Sequence, residues 1–391
     1  MIAAHRPVQR PPHAMLLVID SRGRVAHRAR SGFVDVLCPG DLVVANDAAT
    51  LPASLRGVHL PTGAAVEVRL AGRASLAADD VHAFTAVVFG AGDFRARTEN
   101  RPLPPPLAPG DRLSLGPLFA TVQRPLDHPR LVSLRFNGTP KEIWDGLAHH
   151  GRPIQYAHVT VPLALWDVWT PIASVPVAFE PPSAGFALDW RSIRAMRERG
   201  IAFVTITHAA GISSTGDAEL DRRLPFDEPY RIAETTAAAI WRTKAAGGRI
   251  VAVGTTVVRA LEDAAAGDSV ARVAGVVRAG EGVATGRIGA HSRLQVVDAI
   301  LSGTHELGSS HYELLRAFVN DATLRRASSE LEARGYRTHE FGDSIFIVKP
   351  TYRNALLPPR VRMVKDEPGA RVVPCFVAGS DSRSEAASCT R

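Results

Sequence analysis

Residues 230–262 carry the clearest periodic pattern of apolar and polar positions in the chain. Apolar and small side chains recur there at helical spacing, at Ile232, Thr236, Ala239, Ile240 and Thr243. This spacing predicts a helix with one buried stripe, which the glycine pair at 247–248 ends. Residues 249–253 are a short β-branched run typical of a strand buried on both faces, and residues 257–264 return to the helical pattern.

The junction between that strand and the second helix is Gly254, Thr255 and Thr256. The first turn of a helix leaves backbone N–H groups without partners, and two hydroxyls lie beside them, so the junction suits an anionic group. The alternative is that the glycine makes a tight turn and a threonine caps the helix. The local pattern alone favours the cap, because this loop is less specific than a full phosphate-binding loop.

Strands and helices alternate through much of the remaining chain. Apolar runs predict strands at residues 15–19, 24–29, 42–45, 175–179, 202–207, 294–298 and 344–348. Helical spacing predicts helices at residues 190–199, 312–319 and 322–334. This alternation indicates an α/β fold of mixed α+β character.

A different pattern occupies residues 57–150, where short alternating strands are separated by Gly, Pro and Asp turns. We therefore expect an all-β domain here, inserted into an α/β domain formed by residues 1–56 and 151–352. Residues 353–391 are rich in charged and small side chains, which predicts a disordered tail.

Several predicted strands end in polar loops. The loops contain Asn46 and Asp47, residues 183–185, His208, Thr255 and Thr256, and residues 298–310. Because ligand sites in α/β sheets gather at the carboxyl ends of strands, we expect these loops to form one site. Each loop also has a structural interpretation, since Asn and Asp are common in turns and a buried histidine is often structural.

Composition permits an RNA partner without indicating one. The chain has 391 residues, is 46% hydrophobic and 22% charged, and carries a net charge of +7. Arginine supplies most of the positive charge and pairs bidentately with phosphate, but an arginine-rich composition also follows from a GC-rich genome. The chain has no apolar run of membrane-spanning length and no signal-peptide centre, so we expect a cytoplasmic protein.

Cysteine and histidine usage predicts no metal site. Cys38, Cys375 and Cys389 are far apart and lack metal-ligand spacing. The neighbouring His149 and His150 suggest a metal at first sight, but such a pair without a nearby carboxylate is more often solvated.

Taken in order, these motifs resemble the S-adenosylmethionine:tRNA ribosyltransferase-isomerase family of the queuosine pathway. The matching stretches are residues 39–47, 51–55, 182–185, 203–208, 233–240, 244–262 and 296–298, together with His305. The match runs in order from residue 15 to residue 348, and the β module falls where that family has an inserted domain. The resemblance implies a large barrel-like α/β domain with a small all-β domain inserted, as a monomer or weak homo-oligomer.

The resemblance also implies an activity, that of a transferase and isomerase using S-adenosylmethionine as co-substrate. Such an enzyme transfers and isomerises the ribosyl group onto 7-aminomethyl-7-deazaguanine in tRNA, forming epoxyqueuosine and releasing adenine and methionine. The sulfonium acidifies the C5′ protons, so that a positioned base can remove one.

Roles for individual residues follow from the resemblance and the strand-end pattern together. The catalytic candidates are His208, His305 and Asp298. The candidates for binding S-adenosylmethionine are Asn46, Asp47, Ser183, Gly185, Gly254, Thr255, Thr256 and Arg259. The helix start at residues 254–256 suits the methionine carboxylate, to which Arg259 would add a bidentate contact; otherwise Arg259 is an exposed helical arginine.

The departures from the family pattern fall in its site motifs. The departing positions are Ala187, residues 209–214, Phe226, Asp227, Gly303, Thr304, Leu307 and Gly308. Scaffold residues match better than the residues expected to contact ligands. Two alternatives therefore stand beside the tRNA-modifying enzyme: the same chemistry on a non-tRNA small-molecule acceptor, and a non-catalytic relative that binds S-adenosylmethionine or RNA.

Overall fold

The computed structural model of the chain describes residues 2–266 and 275–350. Residues up to Pro350 form one compact unit. The predicted tail, residues 353–391, lies outside the described residues. No helix in the described ranges is long and apolar enough to cross a membrane.

Most of the elements predicted from the pattern are present. In chain order the strands are β1 (Ile2–Ala3), β2 (Met15–Ile19), β3 (Val25–Ala29), β4 (Leu42–Asn46), β5 (Ala48–Thr50), β6 (Ser54–His59), β7 (Ala64–Gly72), β8 (Ala83–Phe89), β9 (Arg112–Leu115), β10 (Leu118–His128), β11 (Leu131–Phe136), β12 (Val175–Ala178), β13 (Ala202–His208), β14 (Glu228–Ile232), β15 (Ile250–Val253), β16 (Gly280–Ala284), β17 (Ala299–Gly303), β18 (Arg337–Thr338) and β19 (Ser344–Val348). The helices are α1 (Pro140–His150), α2 (Leu165–Val168), α3 (Trp190–Glu198), α4 (Ala218–Asp221), α5 (Glu234–Ala245), α6 (Thr255–Ala264), α7 (Ser310–Leu315) and α8 (Asp321–Ala333). Short 3₁₀ helices cover Arg30–Val36, Thr98–Asn100 and Ser183–Ala187.

A nine-stranded mixed sheet organises the larger part of the fold, in the order β16-β14-β13-β4-β15-β17-β19-β2-β3. Its centre, β13-β4-β15-β17, is parallel, so these four strands bring their carboxyl ends to one edge. Alternate residues of β15 enter two different cores: Ile250 and Ala252 pack with α6 and α8, and Val251 and Val253 pack with α3. The expectation of a strand buried on both faces is therefore confirmed.

A closed six-stranded barrel, β10-β11-β8-β7-β6-β9, forms the small β module. Its interior is filled by apolar side chains that include Leu55, Val68 and Phe84, and α1 adds Ile143 and Leu147 to the same core. The α/β class with a small all-β part is thus confirmed, with strand closure in the small module and a nine-stranded sheet in the larger part. The domain boundaries at residues 56 and 150 stay a prediction.

Two local predictions are wrong. Residues 294–298 are not a strand, because the backbone N–H groups of Val296 and Val297 donate to the carboxylate of Glu262 and not to a neighbouring strand. The strand begins at Ala299 instead. Ile232 belongs to β14 and not to the helical stripe, since α5 begins at Glu234.

Candidate active site

A cavity of about 270 Å³ lies where β12, β13, β15 and β17 end. The loops after these strands supply its walls, as the strand-end pattern predicts for an α/β sheet. Of the residues expected to form the site, the structure brings six to this cavity: Ser183, Gly254, Thr255, Thr256, Arg259 and His305.

The start of α6 forms one wall. Gly254 is its N-cap, with φ +97°, a conformation that favours glycine. No side chain makes a capping hydrogen bond there, so neither threonine caps the helix in the way the local pattern favoured. The amino end of a ten-residue helix therefore faces the cavity, with the hydroxyls of Thr255 and Thr256 beside it.

Arg259 lines the cavity, but its guanidinium is already bonded to other groups of the protein. Its side chain is 5% exposed, and its guanidinium forms an ion pair with Glu228, which is also buried. It further donates to the carbonyls of Ala284, at 2.7 Å, and of Phe226 and Gly286. These bonds join α6 to the segments around β14 and β16, so the ligand carboxylate expected at Arg259 has a competitor in Glu228.

His208 is fully buried and lies behind the cavity. Asn46 holds its backbone, donating to the His208 carbonyl at 2.9 Å and accepting from its N–H at 3.0 Å. Within the described residues neither ring nitrogen has a hydrogen-bond partner, and Nε2 lies 3.5 Å from Oε2 of Glu228. Burial, with the nearby Arg259 charge, lowers the pKa of His208 to about 3, so the ring is neutral and only a weak base.

Replacing His208 with asparagine should make the free energy of unfolding fall less steeply as the pH is lowered. The pKa of His208 is about 3 in the folded chain against an ordinary value of 6.5. Between these values the unfolded chain binds one proton more, so stability falls as the pH falls. The wild type should lose about 1.4 kcal/mol per pH unit from this group, and the variant should lack that component.

Urea unfolding at several pH values across that window measures this slope. His13→Asn, at an exposed position, is the control and should keep the wild-type slope. Equal slopes for His208→Asn and the wild type would contradict the buried neutral histidine.

His305 and His311 lie side by side at the cavity wall. Their rings stack with centroids 4.4 Å apart. Burial and mutual repulsion lower the pKa of His305 well below its ordinary value, and burial lowers the pKa of His311 to about 4. Both rings are therefore neutral at neutral pH and present flat faces and acceptor nitrogens.

Four other expected site residues do not line this cavity. Asn46 holds the backbone of His208, as described above, and Asp47 accepts from the hydroxyls of Thr205 and Thr207 at 3.0 and 2.7 Å. Gly185 packs against Thr170, which a Cβ at that position would approach to 3.0 Å.

Asp298, expected to act in catalysis, lies at the opposite edge of the sheet. It immediately precedes β17, which pairs in parallel with β15, whereas the cavity follows the carboxyl ends of both strands. Its carboxylate accepts from the backbone N–H of Ile250 at 2.9 Å and from Lys244 at 3.2 Å.

The sequence pattern did not single out Glu180, which follows β12 and lines the cavity. Its side chain is 7% exposed and accepts a hydrogen bond from the hydroxyl of Tyr156. Burial raises the pKa of Glu180 to about 7, against the opposing hydrogen bonds of Ser213 and Tyr156. Its position at a strand end was the signal available in the sequence, but its partner Tyr156 is 24 residues away along the chain.

Within residues 2–266 and 275–350, one group of potential metal ligands lies near this cavity. His158, His339 and Glu340 offer ligand atoms within 4.8 Å of one another. The two imidazoles stack, with centroids 4.2 Å apart and planes at 21°. Imidazole lone pairs lie in the ring plane, so the two rings do not aim at one ion as they stand. The two rings are therefore stacked on each other, and a hydrogen bond of 3.1 Å joins His158 to Glu340.

Comparison with known proteins places the chain in a family. Residues 1–347 match the family described as queuosine biosynthesis protein. The chain belongs to this family. The resemblance expected from the motifs is confirmed, and with it, at the level of the family, the prediction of an enzyme that is a transferase and isomerase.

Relatives and a solved structure extend this comparison. The S-adenosylmethionine:tRNA ribosyltransferase-isomerase of Sorangium cellulosum is 32% identical over 89% of this chain and 95% of its own length. The enzyme of that name from Synechococcus elongatus is 29% identical over 88% of this chain and 92% of its own. The crystal structure of an S-adenosylmethionine tRNA ribosyltransferase from Thermotoga maritima is 23% identical, covers 89% of this chain and 96% of that one, and has a TM-score of 0.45.

Proposed function

We propose that this queuosine-family protein transfers and isomerises the ribosyl group of S-adenosylmethionine onto 7-aminomethyl-7-deazaguanine in tRNA, releasing adenine and methionine. One observation carries the proposal beyond family membership. The cavity brings the uncapped amino end of α6 to the same space as the buried carboxyl group of Glu180. An anchor for a carboxylate and a base are two groups that this reaction requires. A tRNA substrate would place the enzyme in the cytoplasm.

In this proposal the start of α6 binds the methionine end of S-adenosylmethionine. The backbone N–H groups of the first turn and the hydroxyls of Thr255 and Thr256 are donors for its carboxylate, and the helix dipole favours negative charge there. Because Arg259 is already paired with Glu228, the helix end supplies the main attraction. The neutral faces of His305 and His311 offer a stacking surface for a flat base such as adenine.

Glu180 is the general base of the proposal, in place of the buried His208. With a pKa of about 7, it is partly ionised at neutral pH and still basic enough to accept a proton. The Tyr156 hydroxyl orients it by donating to its carboxylate. Removal of a C5′ proton next to the sulfonium starts the rearrangement. The acceptor amine then bonds to the ribosyl group as the C5′–sulfur bond to methionine and the glycosidic bond to adenine break, and adenine takes up the proton that the amine loses.

A changed acceptor is the second candidate function. Six of the positions that depart from the family pattern meet in this cavity: Ala210, Gly211, Ile212, Ser213, Gly303 and Gly308 all line it. The start of α6, which keeps the family pattern, forms another wall. This distribution favours a retained S-adenosylmethionine site with an altered acceptor side, so a small deazapurine is the alternative acceptor.

Adenine release separates these functions. The purified protein is incubated with S-adenosylmethionine alone, with tRNA carrying the 7-aminomethyl-7-deazaguanine base, and with the free base. The proposal expects adenine only with the modified tRNA. Release with the free base alone would establish the second candidate, and binding of S-adenosylmethionine without release under any condition would refute both.

Removing a hydroxyl at the start of α6 should weaken the binding of S-adenosylmethionine. Loss of one hydrogen bond to a carboxylate costs about 1.5 kcal/mol, so Thr255→Val should raise the Kd about tenfold. Titration calorimetry measures this without any acceptor. Thr235→Val, at an exposed position of α5, is the matched control and should leave the Kd unchanged. An unchanged Kd for Thr255→Val would remove that hydroxyl from the proposed site.

A further inference from the structure

A second cavity, of about 440 Å³, opens beside the β module, and five of its lining residues are basic. These are Arg56, Arg95, Arg152, His149 and His150. They come from separate parts of the chain, the barrel and the end of α1, and the fold brings them to one space. The histidine pair that stood out in the sequence therefore has basic neighbours and not metal ligands.

Positive charge in this cavity is only partly neutralised. Among the described residues Glu67 is the one carboxylate lining it, and that side chain is buried and bound to the buried Arg69 and Arg101. Asp93 pairs with both Arg56, at 2.9 Å, and Arg95, at 2.6 Å.

Arg152 supplies a positive charge that no carboxylate in the described part of the chain pairs with. It is exposed, and its side chain has no hydrogen bond or ion pair with another described residue. Asp93 pairs with two of the three guanidiniums, those of Arg56 and Arg95, so net positive charge and free N–H donors remain at the cavity, which favours an anionic ligand.

Backbone carbonyls fix the orientation of both histidines. His149 donates from Nδ1 to the carbonyl of Asp145 at 2.7 Å, and His150 donates from Nε2 to the carbonyl of Arg56 at 2.7 Å. A carbonyl can only accept, so the opposite nitrogen of each ring is left for a ligand. His150 also packs directly on Gly116, where an added Cβ would lie 2.4 Å from the ring, so this ring is held in place.

A small third cavity links the lining of this basic cavity to that of the proposed reaction site. Gln155 and Leu163 line both the basic cavity and a small neighbouring cavity, and that small cavity shares Glu180 and Pro181 with the main cavity. A chain-like ligand with one base at Glu180 has its backbone near the basic residues. Phe94, which also lines the basic cavity, adds an aromatic ring on which a nucleobase can stack.

We propose that this basic cavity binds the sugar–phosphate backbone of an RNA whose modified base enters the main cavity. The inference rests on the proposed tRNA acceptor and adds the place where the rest of that RNA is held. Arginine recognises phosphate bidentately, and stacking on Phe94 favours RNA over an acidic peptide.

Binding of unmodified tRNA, followed by fluorescence anisotropy without S-adenosylmethionine, tests the site apart from catalysis. The Arg56→Gln/Arg95→Gln/Arg152→Gln variant should raise the Kd about 10–100-fold and reduce the slope of log K against log salt by about 2–3. The control carries three glutamines at the exposed Arg191, Arg194 and Arg197 of α3 and should keep the wild-type Kd. Equal melting temperatures for the two variants show that folding is not the cause.

The inference would be overturned if the cavity variant kept the wild-type Kd for tRNA and the wild-type slope of log K against log salt. The proposed reaction would be unaffected by that result. Absence of tRNA binding by the wild type would also overturn the inference. The proposed reaction is judged separately, because adenine release with each acceptor does not depend on where RNA binds.

Discussion

Replacing Arg259 with methionine should lower the free energy of unfolding by about 3–5 kcal/mol, the cost of leaving one partner of a buried ion pair alone. Glu228 would lose its guanidinium partner at a site where it is 5% exposed. The carbonyls of Ala284 and Phe226 would also lose a donor. Urea unfolding at neutral pH measures the change, with the midpoint and slope both recorded.

Two further variants test whether the loss of stability is specific to the buried ion pair. Arg194→Met removes an arginine from an exposed pair with Glu198, and exposed pairs contribute about 0–1 kcal/mol, so it should unfold almost as the wild type does. Adding Glu228→Gln to Arg259→Met removes the unpaired buried charge and should restore part of the lost stability. If Arg259→Met were no more destabilising than Arg194→Met, Arg259 would be free for a ligand, as the sequence first indicated.

Replacing Glu180 with glutamine should lower the rate of adenine release about 10²–10⁴-fold, the usual contribution of a general base. The amide is nearly the same size and keeps its oxygen toward Tyr156, so the Kd for S-adenosylmethionine should change little. Glu313→Gln is the matched control, since that carboxylate is partly exposed and paired with Arg316. Retained turnover in Glu180→Gln would remove Glu180 as the base.

The pH profile gives a second readout for Glu180. A base must be ionised to act, and burial, with the charge of Glu340, raises the pKa of Glu180 to about 7. In the wild type kcat/KM should therefore rise tenfold per pH unit below about pH 7 and level off above it. Tyr156 has a pKa well above its ordinary value and stays protonated through this range. The residual activity of Glu180→Gln should lack this rise.

Local pattern was sufficient to predict the framework of the site. The β-branched run before Gly254 is typical of a strand buried on both faces, and the start of α6 followed from the change to helical spacing. The convergence of strand ends was predictable because parallel strands share one edge. It brought Ser183, Thr255 and His305 to one cavity, as expected.

Pairings distant in sequence could not be predicted in this way. Arg259 and Glu228 are 31 residues apart, and nothing in either segment shows that they are buried together. His208 is the last residue of β13, a position where site residues are often found, yet its ring lies in the interior behind Asn46. Asp298 was placed at the wrong edge of the sheet because the strand was predicted before it and begins after it.

The most direct test of the proposed function follows the carbon atoms of S-adenosylmethionine into tRNA. Two samples are compared, one labelled in the ribose and one in the S-methyl group, each incubated with tRNA carrying 7-aminomethyl-7-deazaguanine. The masses of the nucleosides from the digested tRNA are then measured by mass spectrometry. The proposal predicts ribose label in the deazaguanine nucleoside, equimolar adenine, and no methyl label. Methyl label in the tRNA, or adenine release without any labelled nucleoside, would contradict it.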